Sequence, residues 1–503
     1  MVEAVLFTDH SGMTVQSWSR GLGTYRIQTE LRRAGYTCDV IDFISVLSLD
    51  QIITIINTRC DENTLIVGWS ATFLSDVSMD DTGKLVKDNA KTTRFTREEQ
   101  KQIYYAIKAR SPKAKVLVGA LDVYGRDQYF ADMFVMGHAD RAIVGIAAAI
   151  RDGGYDDIGP ENPKIIRPDV MWPVTDLSRL SVDWGPEHHI MSHEWIPIEV
   201  SRGCIFNCKF CSHVLRGKKK LDYLRDPDDI YQEIMGLYER FGVTRFILID
   251  DTLNDTIQKL EMLKSVTDRL PFRPKFNSFV RVDLIARFPR MLELMDDIGL
   301  ITMHLGIESR HPEALKAIGK SMPWEKIEET ILHIRQNYPH MRLFGSFIVG
   351  LPYEDLRSVA ETNALIGQGH LLHDWVWYGL AMHSKNQNKH HVSEFNQSPE
   401  QYGYTTSETH ASWWENEFMN SKIASRVANK MNAEHLENRY LAGFALPMVQ
   451  SLHPDPDYFV QHSMAVLLTP EFYADRYRLA ESMKINYFAA VVPEITYVGG
   501  YNR

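Results

Sequence analysis

Apolar and polar positions alternate along this chain in two rhythms. Short apolar runs are followed by longer stretches in which apolar residues recur at three- and four-residue spacing, the pattern of strands feeding helices. In the first third, strands are predicted at residues 4–8, 38–42, 65–70, 115–119 and 142–145, with a helix over 22–33 that ends at Gly35. This order implies a parallel sheet covered on both faces over residues 1–150. Small residues follow several of the strands. Ligands of open parallel sheets bind beyond the carboxyl ends, so Ser70 and Gly119 are candidate cofactor-contacting positions.

Residues 151–190 are rich in Pro, Asp and Gly and read as an irregular connector. The alternation then resumes. A strand over 197–201 precedes a helix capped by Asp226, with Pro227 at its first position. Further strands are predicted at 245–250, 275–280, 302–307, 343–349 and 376–381, making a partial (β/α)6 barrel over 191–385. Chemistry in such barrels sits at the carboxyl ends of the strands. Helical patterns dominate beyond residue 386. The fold class is therefore α/β: an N-terminal flavodoxin/Rossmann-like parallel-sheet domain (1–150), a linker (151–190), a partial TIM-type barrel, and a mainly helical C-terminal domain (386–503) that closes the barrel's open side.

Composition narrows the class. Hydrophobic residues make up 44% and charged residues 24% of the 503 positions, as in ordinary globular proteins. No apolar stretch approaches the roughly 18 residues a membrane-spanning helix needs. A net charge of −10 argues against broad nucleic-acid binding, and the run Arg216-Gly217-Lys218-Lys219-Lys220 reads as a solvated loop. The five cysteines are an odd count, and the N-terminus lacks the basic and apolar regions of a secretory signal. A cytoplasmic protein with reduced thiols is expected.

Three of the five cysteines, Cys204, Cys208 and Cys211, fall within eight residues directly after the barrel's first predicted strand. Three thiolates from one loop can hold three irons of a [4Fe–4S] cube and leave the fourth open to another ligand. A closed structural zinc with His213 as fourth ligand is the alternative. Cys38 and Cys60 read as buried apolar residues. His383, His390 and His391 read as a surface loop, and the nearby aromatic residues Tyr402, Tyr404, Trp413, Trp414 and Phe418 as core.

The C-x3-C-x2-C spacing, with Phe210 before the last cysteine, resembles the signature of radical S-adenosylmethionine (SAM) enzymes. The layout of residues 1–150 resembles the cobalamin-binding domain found in one subfamily, although the D-x-H-x-x-G motif is absent: Asp9 and His10 stand side by side. A degenerate domain that binds nothing has the same rhythm. The resemblance implies a [4Fe–4S] cluster on the three cysteines, SAM and cobalamin as cofactors, and an external electron donor of flavodoxin or ferredoxin type. It also implies SAM contacts at Asp250 and Asp251 (amino group), Arg281 (carboxylate), Glu308 and Ser309 (ribose), and Ile348 and Gly350 (adenine). A helix cap is the alternative for Asp251 and an ion pair for Arg281. Ser346 stands where the family has glycine. The expected activity is a cobalamin-dependent methyl transfer to an unactivated carbon or phosphorus of a small molecule or peptide, through a 5′-deoxyadenosyl radical. Alternatives are a non-methylating rearrangement or oxidation, and a metal-binding protein without catalysis.

Overall fold

The computed structural model describes residues 1–9, 18–70, 78–79, 85–86, 95–120, 129–140, 142–168, 177–212, 216–218, 221–382, 393–407, 413–434, 445–459, 462, 466 and 469–498. The chain divides into two compact units. One holds residues 1–176, 180–194 and 475–503; the other holds 177–179 and 195–474.

The first unit is built on β1 (Ala4–Phe7), β2 (Cys38–Ile41), β3 (Ile66–Ser70), β4 (Lys115–Ala120), β5 (Met133–Met136) and β6 (Lys164–Ile166). They form one six-stranded sheet in the order β2-β1-β3-β4-β5-β6, with every pairing parallel. The first five follow the flavodoxin-like order, whose switch point lies between β1 and β3. Helices α1 (Leu22–Arg33), α2 (Leu49–Arg59) and α3 (Arg97–Arg110) connect them, and capping boxes at Ser48 and Thr96 start the latter two.

Three expectations change here. Residues 142–145 are not a strand but the start of α4 (Ala142–Arg151), in which Ala142, Ile143, Ile146, Ala147 and Ile150 face the core at helical spacing. The fifth strand is β5. Residues 151–190 do not stand apart as a linker either: β6 completes the sheet edge, Asp183 pairs with Arg33 at 2.9 Å, and the His188 ring meets Gln28 Oε1 at 2.8 Å. Residues from 475 onward also belong to this unit, carried by α13 (Pro470–Val491), where the Asp42 amide donates to the Tyr487 hydroxyl at 2.9 Å.

The second unit holds β7 (Trp195–Ile198), β8 (Arg245–Leu248), β9 (Lys275–Val280), β10 (Leu300–Glu308), β11 (Arg342–Val349) and β12 (Asp374–Gly379). They pair in sequence order and in parallel, as a partial (β/α)6 barrel requires. Helix α5 (Pro227–Phe241) starts at the Asp226 cap and stops at Gly242, whose φ of 72° is the left-handed conformation glycine accommodates. Alternate residues Phe246, Leu248, Phe276, Met303, Leu305, Leu343 and Phe347 are wholly buried.

The open edges of this sheet are covered within the unit. Asn432 of α12 (Ser421–Glu434) accepts from the Trp377 N–H (2.8 Å) and donates to its carbonyl (2.9 Å), bonding the edge strand β12 as a neighbouring strand would. At the other edge the Trp195 N–H donates to Ser451 Oγ at 2.9 Å.

Candidate active site

The cysteine loop leaves β7 through Val200 and Ser201, whose amides both donate to Asp250 Oδ1 at 3.0 Å. The other oxygen of Asp250 pairs with Lys259 Nζ at 3.0 Å, both side chains fully buried. Lys259 also donates to Ser201 Oγ (2.7 Å) and to the Thr252 carbonyl (2.9 Å). Asp250 therefore holds the loop at the end of β8, and its carboxylate is engaged within the protein.

Gly203, with φ 123°, turns the chain into the loop. The loop closes on the segment that follows it: Lys218 N donates to the Cys204 carbonyl (3.0 Å), Gly217 N to the Phe206 carbonyl (2.9 Å), and Arg216 Nη1 to the Cys211 carbonyl. Arg216-Gly217-Lys218 is thus part of the site rather than a free solvated run. Lys219, Lys220 and His213 lie outside the described residues.

None of the three cysteines is in a disulfide, and all three are half-buried. Cys204 Sγ donates to Thr252 Oγ1 at 3.7 Å, and burial, with the nearby carboxylates Asp255 and Asp251, pushes this thiol up. Arg281 Nη1 lies 3.4 Å from Cys208 Sγ, its guanidinium stacked 4.0 Å over Phe206. Nε and Nη2 of Arg281 are taken by Asp283 at 3.0 and 2.7 Å. Burial alone would raise the Asp283 carboxyl, but Arg281 holds it below the usual carboxylate range. The arginine therefore stands beside the cysteine loop, two of its three nitrogens engaged. Among the described residues no three His, Cys, Asp or Glu side chains converge as ligands of a single metal ion. Ligands at separate corners of a cube need no such convergence.

Glu308 ends β10 with φ 71°, after a register shift between Gly306 and Glu308. Lys320 Nζ bonds both Glu308 Oε1 (2.9 Å) and the Gly306 carbonyl (2.7 Å). Ser309 Oγ donates to Glu354 Oε1 at 2.7 Å and accepts from the His311 N–H at 2.9 Å. Burial pushes Glu354 up to about 7, and among the described residues its Oε2 has no hydrogen-bond partner.

Ile348 is buried beside Tyr378, its register partner on β12. At Gly350, with φ 102°, an added Cβ would lie 2.4 Å from Trp414, and the Gly350 carbonyl accepts from the Tyr404 hydroxyl at 2.6 Å. The close approach at this glycine is made by the Trp414 indole. Asp251 is exposed beside Thr252, at the end of β8.

Thr252, Lys259, Lys320 and Glu354 are members of this constellation that sequence reasoning missed; only Glu354, a carboxyl just after the Gly350-Leu351-Pro352 turn, offered a signal. In the first unit, Ser70 and Gly119 are register partners at the carboxyl ends of β3 and β4. His10, Ala71, His383, His390 and His391 lie outside the described residues.

Residues 198–366 match the model of the Radical SAM superfamily, the stretch that runs from the end of β7 to the end of α11 (Leu356–Ile366). This chain carries a radical SAM domain. Such a domain implies SAM and a [4Fe–4S] cluster, and the three thiols on one loop, with Arg281 beside one of them, fit that cluster. Curated relatives match in part. An anaerobic magnesium-protoporphyrin IX monomethyl ester cyclase from Rubrivivax gelatinosus is 30% identical over 238 residues, covering 44% of this chain and 39% of the relative. A cytidylyl-2-hydroxyethylphosphonate methyltransferase from Streptomyces wedmorensis is 29% identical over 156 residues, 30% of this chain and 28% of the relative. The chain thus spans well under half the length of the curated relatives it matches. Among solved structures, the radical SAM methyltransferase TsrM from Kitasatospora setae, with cobalamin and a [4Fe–4S] cluster bound, has a similar fold. The TM-score is 0.57 at 14% identity, over 96% of this chain and 89% of that one.

Proposed function

We propose that the chain is a cobalamin-dependent radical SAM methyltransferase acting on an unactivated carbon or phosphorus of a small molecule, with electrons from an external flavodoxin- or ferredoxin-type donor. The observation that carries this reading is the pairing, in one polypeptide, of the three-thiol loop at the carboxyl end of β7 with a parallel-sheet unit in flavodoxin-like order. When bound, the cluster supplies the electron that cleaves SAM, and the corrinoid supplies methyl-group transfer.

The chain's own residues bind and orient. Cys204, Cys208 and Cys211 would hold three irons, and Arg281 would balance the negative charge of the ligated sulfurs. Glu308, fixed through Oε1 by Lys320, and Asp251 are the acceptors for SAM hydroxyl and ammonium groups. Asp250, Ser309, Ile348 and Gly350 act behind them, holding the loop, the β10 terminus and the β11 turn. Ile249, Phe279 and Tyr378 are large apolar side chains that remain exposed at the strand ends. They favour a substrate whose reacting part is apolar. In the first unit, Ser70 and Gly119 would face the corrinoid, and an apolar cavity lined by Trp69, Phe95, Ile103, Tyr104, Val118 and Phe130 lies between the sheet and α3.

The cyclase among the relatives favours a second reading, a radical reaction without methyl transfer. Anaerobic turnover with cobalamin and a reductant separates the two. The methyltransferase yields 5′-deoxyadenosine together with S-adenosylhomocysteine, and 5′-deoxyadenosine alone supports the second reading. Absence of bound cobalamin after reconstitution removes the first. A cluster held by reduced thiols and supplied by a flavodoxin- or ferredoxin-type donor would place the protein in the cytoplasm. Among the described residues no helix is long and apolar enough to cross a membrane.

A further inference from the structure

Beyond the end of the family match at residue 366, the second unit sends a short segment back to the cysteine loop. Its target is Lys209, the residue after Cys208. The Lys209 N–H donates to the Ile318 carbonyl (3.2 Å), its carbonyl accepts from the Phe395 N–H (3.2 Å), and its ammonium pairs with Glu394 Oε2 at 2.5 Å. Glu394 Oε1 accepts from the Tyr402 hydroxyl. Lys209 and Tyr402 together hold the Glu394 carboxyl below its ordinary range.

The segment is anchored on its other side. Phe395 is 1% exposed, with its ring 4.5 Å from Tyr402 and 5.6 Å from Tyr404. Tyr404 donates to the Gly350 carbonyl and meets Trp414 edge-on at 5.3 Å, the same indole that fills the space over Gly350. A continuous set of contacts therefore joins the cysteine loop to the β11 turn through residues 393–404. Alone, a half-exposed ion pair contributes little to stability. Backbone hydrogen bonding at Lys209 and burial of the Phe395 ring make the attachment more than a surface pair.

We propose that residues 393–404 form a strap that holds the cluster-ligating loop closed, with Glu394 and Phe395 as its positioning residues. This rests on the reading of Cys204, Cys208 and Cys211 as cluster ligands. A loop tethered through Lys209 cannot swing away from the rest of the barrel, so the strap slows loss of iron from a cluster bound there. It acts through the loop and touches no reacting group.

Two readouts on the full chain test this. Amide hydrogen exchange over residues 203–212, on protein as isolated, reads loop opening with or without a cluster. Release of iron to a chelator, on reconstituted protein, reads its consequence. Glu394→Ala is expected to speed both by about two- to five-fold, the range a half-exposed pair supports, and Tyr402→Phe to speed them less. The charge-swapped pair Lys209→Glu with Glu394→Lys is expected to restore exchange towards wild type, which a general loss of packing would not allow. Phe395→Ala is expected to exceed ten-fold; should it fail to fold, the other three variants still decide. Unchanged exchange in Glu394→Ala overturns the strap, as does faster exchange with unchanged iron release. A wild-type chain that takes up no iron defeats the cluster reading instead, and the exchange data then still decide whether the strap holds the loop.

Discussion

Arg281 stands 3.4 Å from the sulfur of Cys208 while Asp283 holds its remaining two nitrogens, so a fixed cation lies against a thiol proposed as a cluster ligand. Reducing a cluster adds negative charge, which this cation stabilises. Arg281→Gln is expected to lower the midpoint potential by some tens of millivolts, since about 59 mV for one electron corresponds to a ten-fold change in equilibrium. Arg281→Lys, which keeps the charge, is expected to stay nearer wild type. Redox titration followed by electron paramagnetic resonance checks this, and equal potentials in Gln and wild type contradict it.

Asp250 and Lys259 carry opposite charges with no exposure at all. Removing Asp250 leaves the buried Lys259 ammonium facing only the more distant Asp255 carboxylate, 3.9 Å away, a loss of up to about 3–5 kcal/mol. Asp250→Ala is expected to lose both stability and iron binding, because the Val200 and Ser201 amides lose their acceptor too. Asp250→Ala with Lys259→Met is expected to regain only part of the stability, since Asp255 then loses its buried cation, and not to regain iron binding. Thermal unfolding and iron analysis of the two variants test the prediction.

Gly350 combines a φ of 102° with a Trp414 atom 2.4 Å from where a Cβ would lie. Gly350→Ala is expected to cost about 2–4 kcal/mol by steric overpacking and backbone strain. Gly350→Ala with Trp414→Leu is expected to recover part of this, leaving the strain. A lowered unfolding midpoint that the second substitution does not raise would contradict the packing account.

Much of this arrangement was legible in the sequence, and the parts that were not share a physical cause. Helix α5 announced itself through a local signal, the Asp226-Pro227 start. Local signals failed at residues 142–145, where a four-residue apolar run cannot be told from the first turn of an alanine-rich buried helix. They failed again at β6, a three-residue edge strand beside Pro163. In the site, the cysteines were legible because their spacing is itself the signal. The engagement of Asp250 by Lys259 and the approach of Arg281 to Cys208 were not, since each depends on which strands become neighbours.

Glu354 adds a pH dependence. Burial raises its carboxyl to about 7, with Asp355 pushing the same way and the Ser309 hydroxyl opposing. The folded state then holds a proton that the unfolded state, titrating near 4.3, has released. Between those values stability falls as pH rises, by about 1.4 kcal/mol per unit at most. Glu354→Gln is expected to match wild type near pH 4.5 and to be the more stable at pH 8. Unfolding midpoints that run parallel in the two proteins across this range contradict the assignment.

The central claim is an iron–sulfur cube held by Cys204, Cys208 and Cys211 and open to SAM at its fourth iron. Its most direct measurement is SAM cleavage by anaerobically reconstituted protein, wild type against Cys208→Ala, with metal content determined on the same samples. The account predicts about four irons per wild-type chain and 5′-deoxyadenosine that disappears in the variant. One zinc per chain, or 5′-deoxyadenosine formed equally well without the Cys208 thiol, would contradict it.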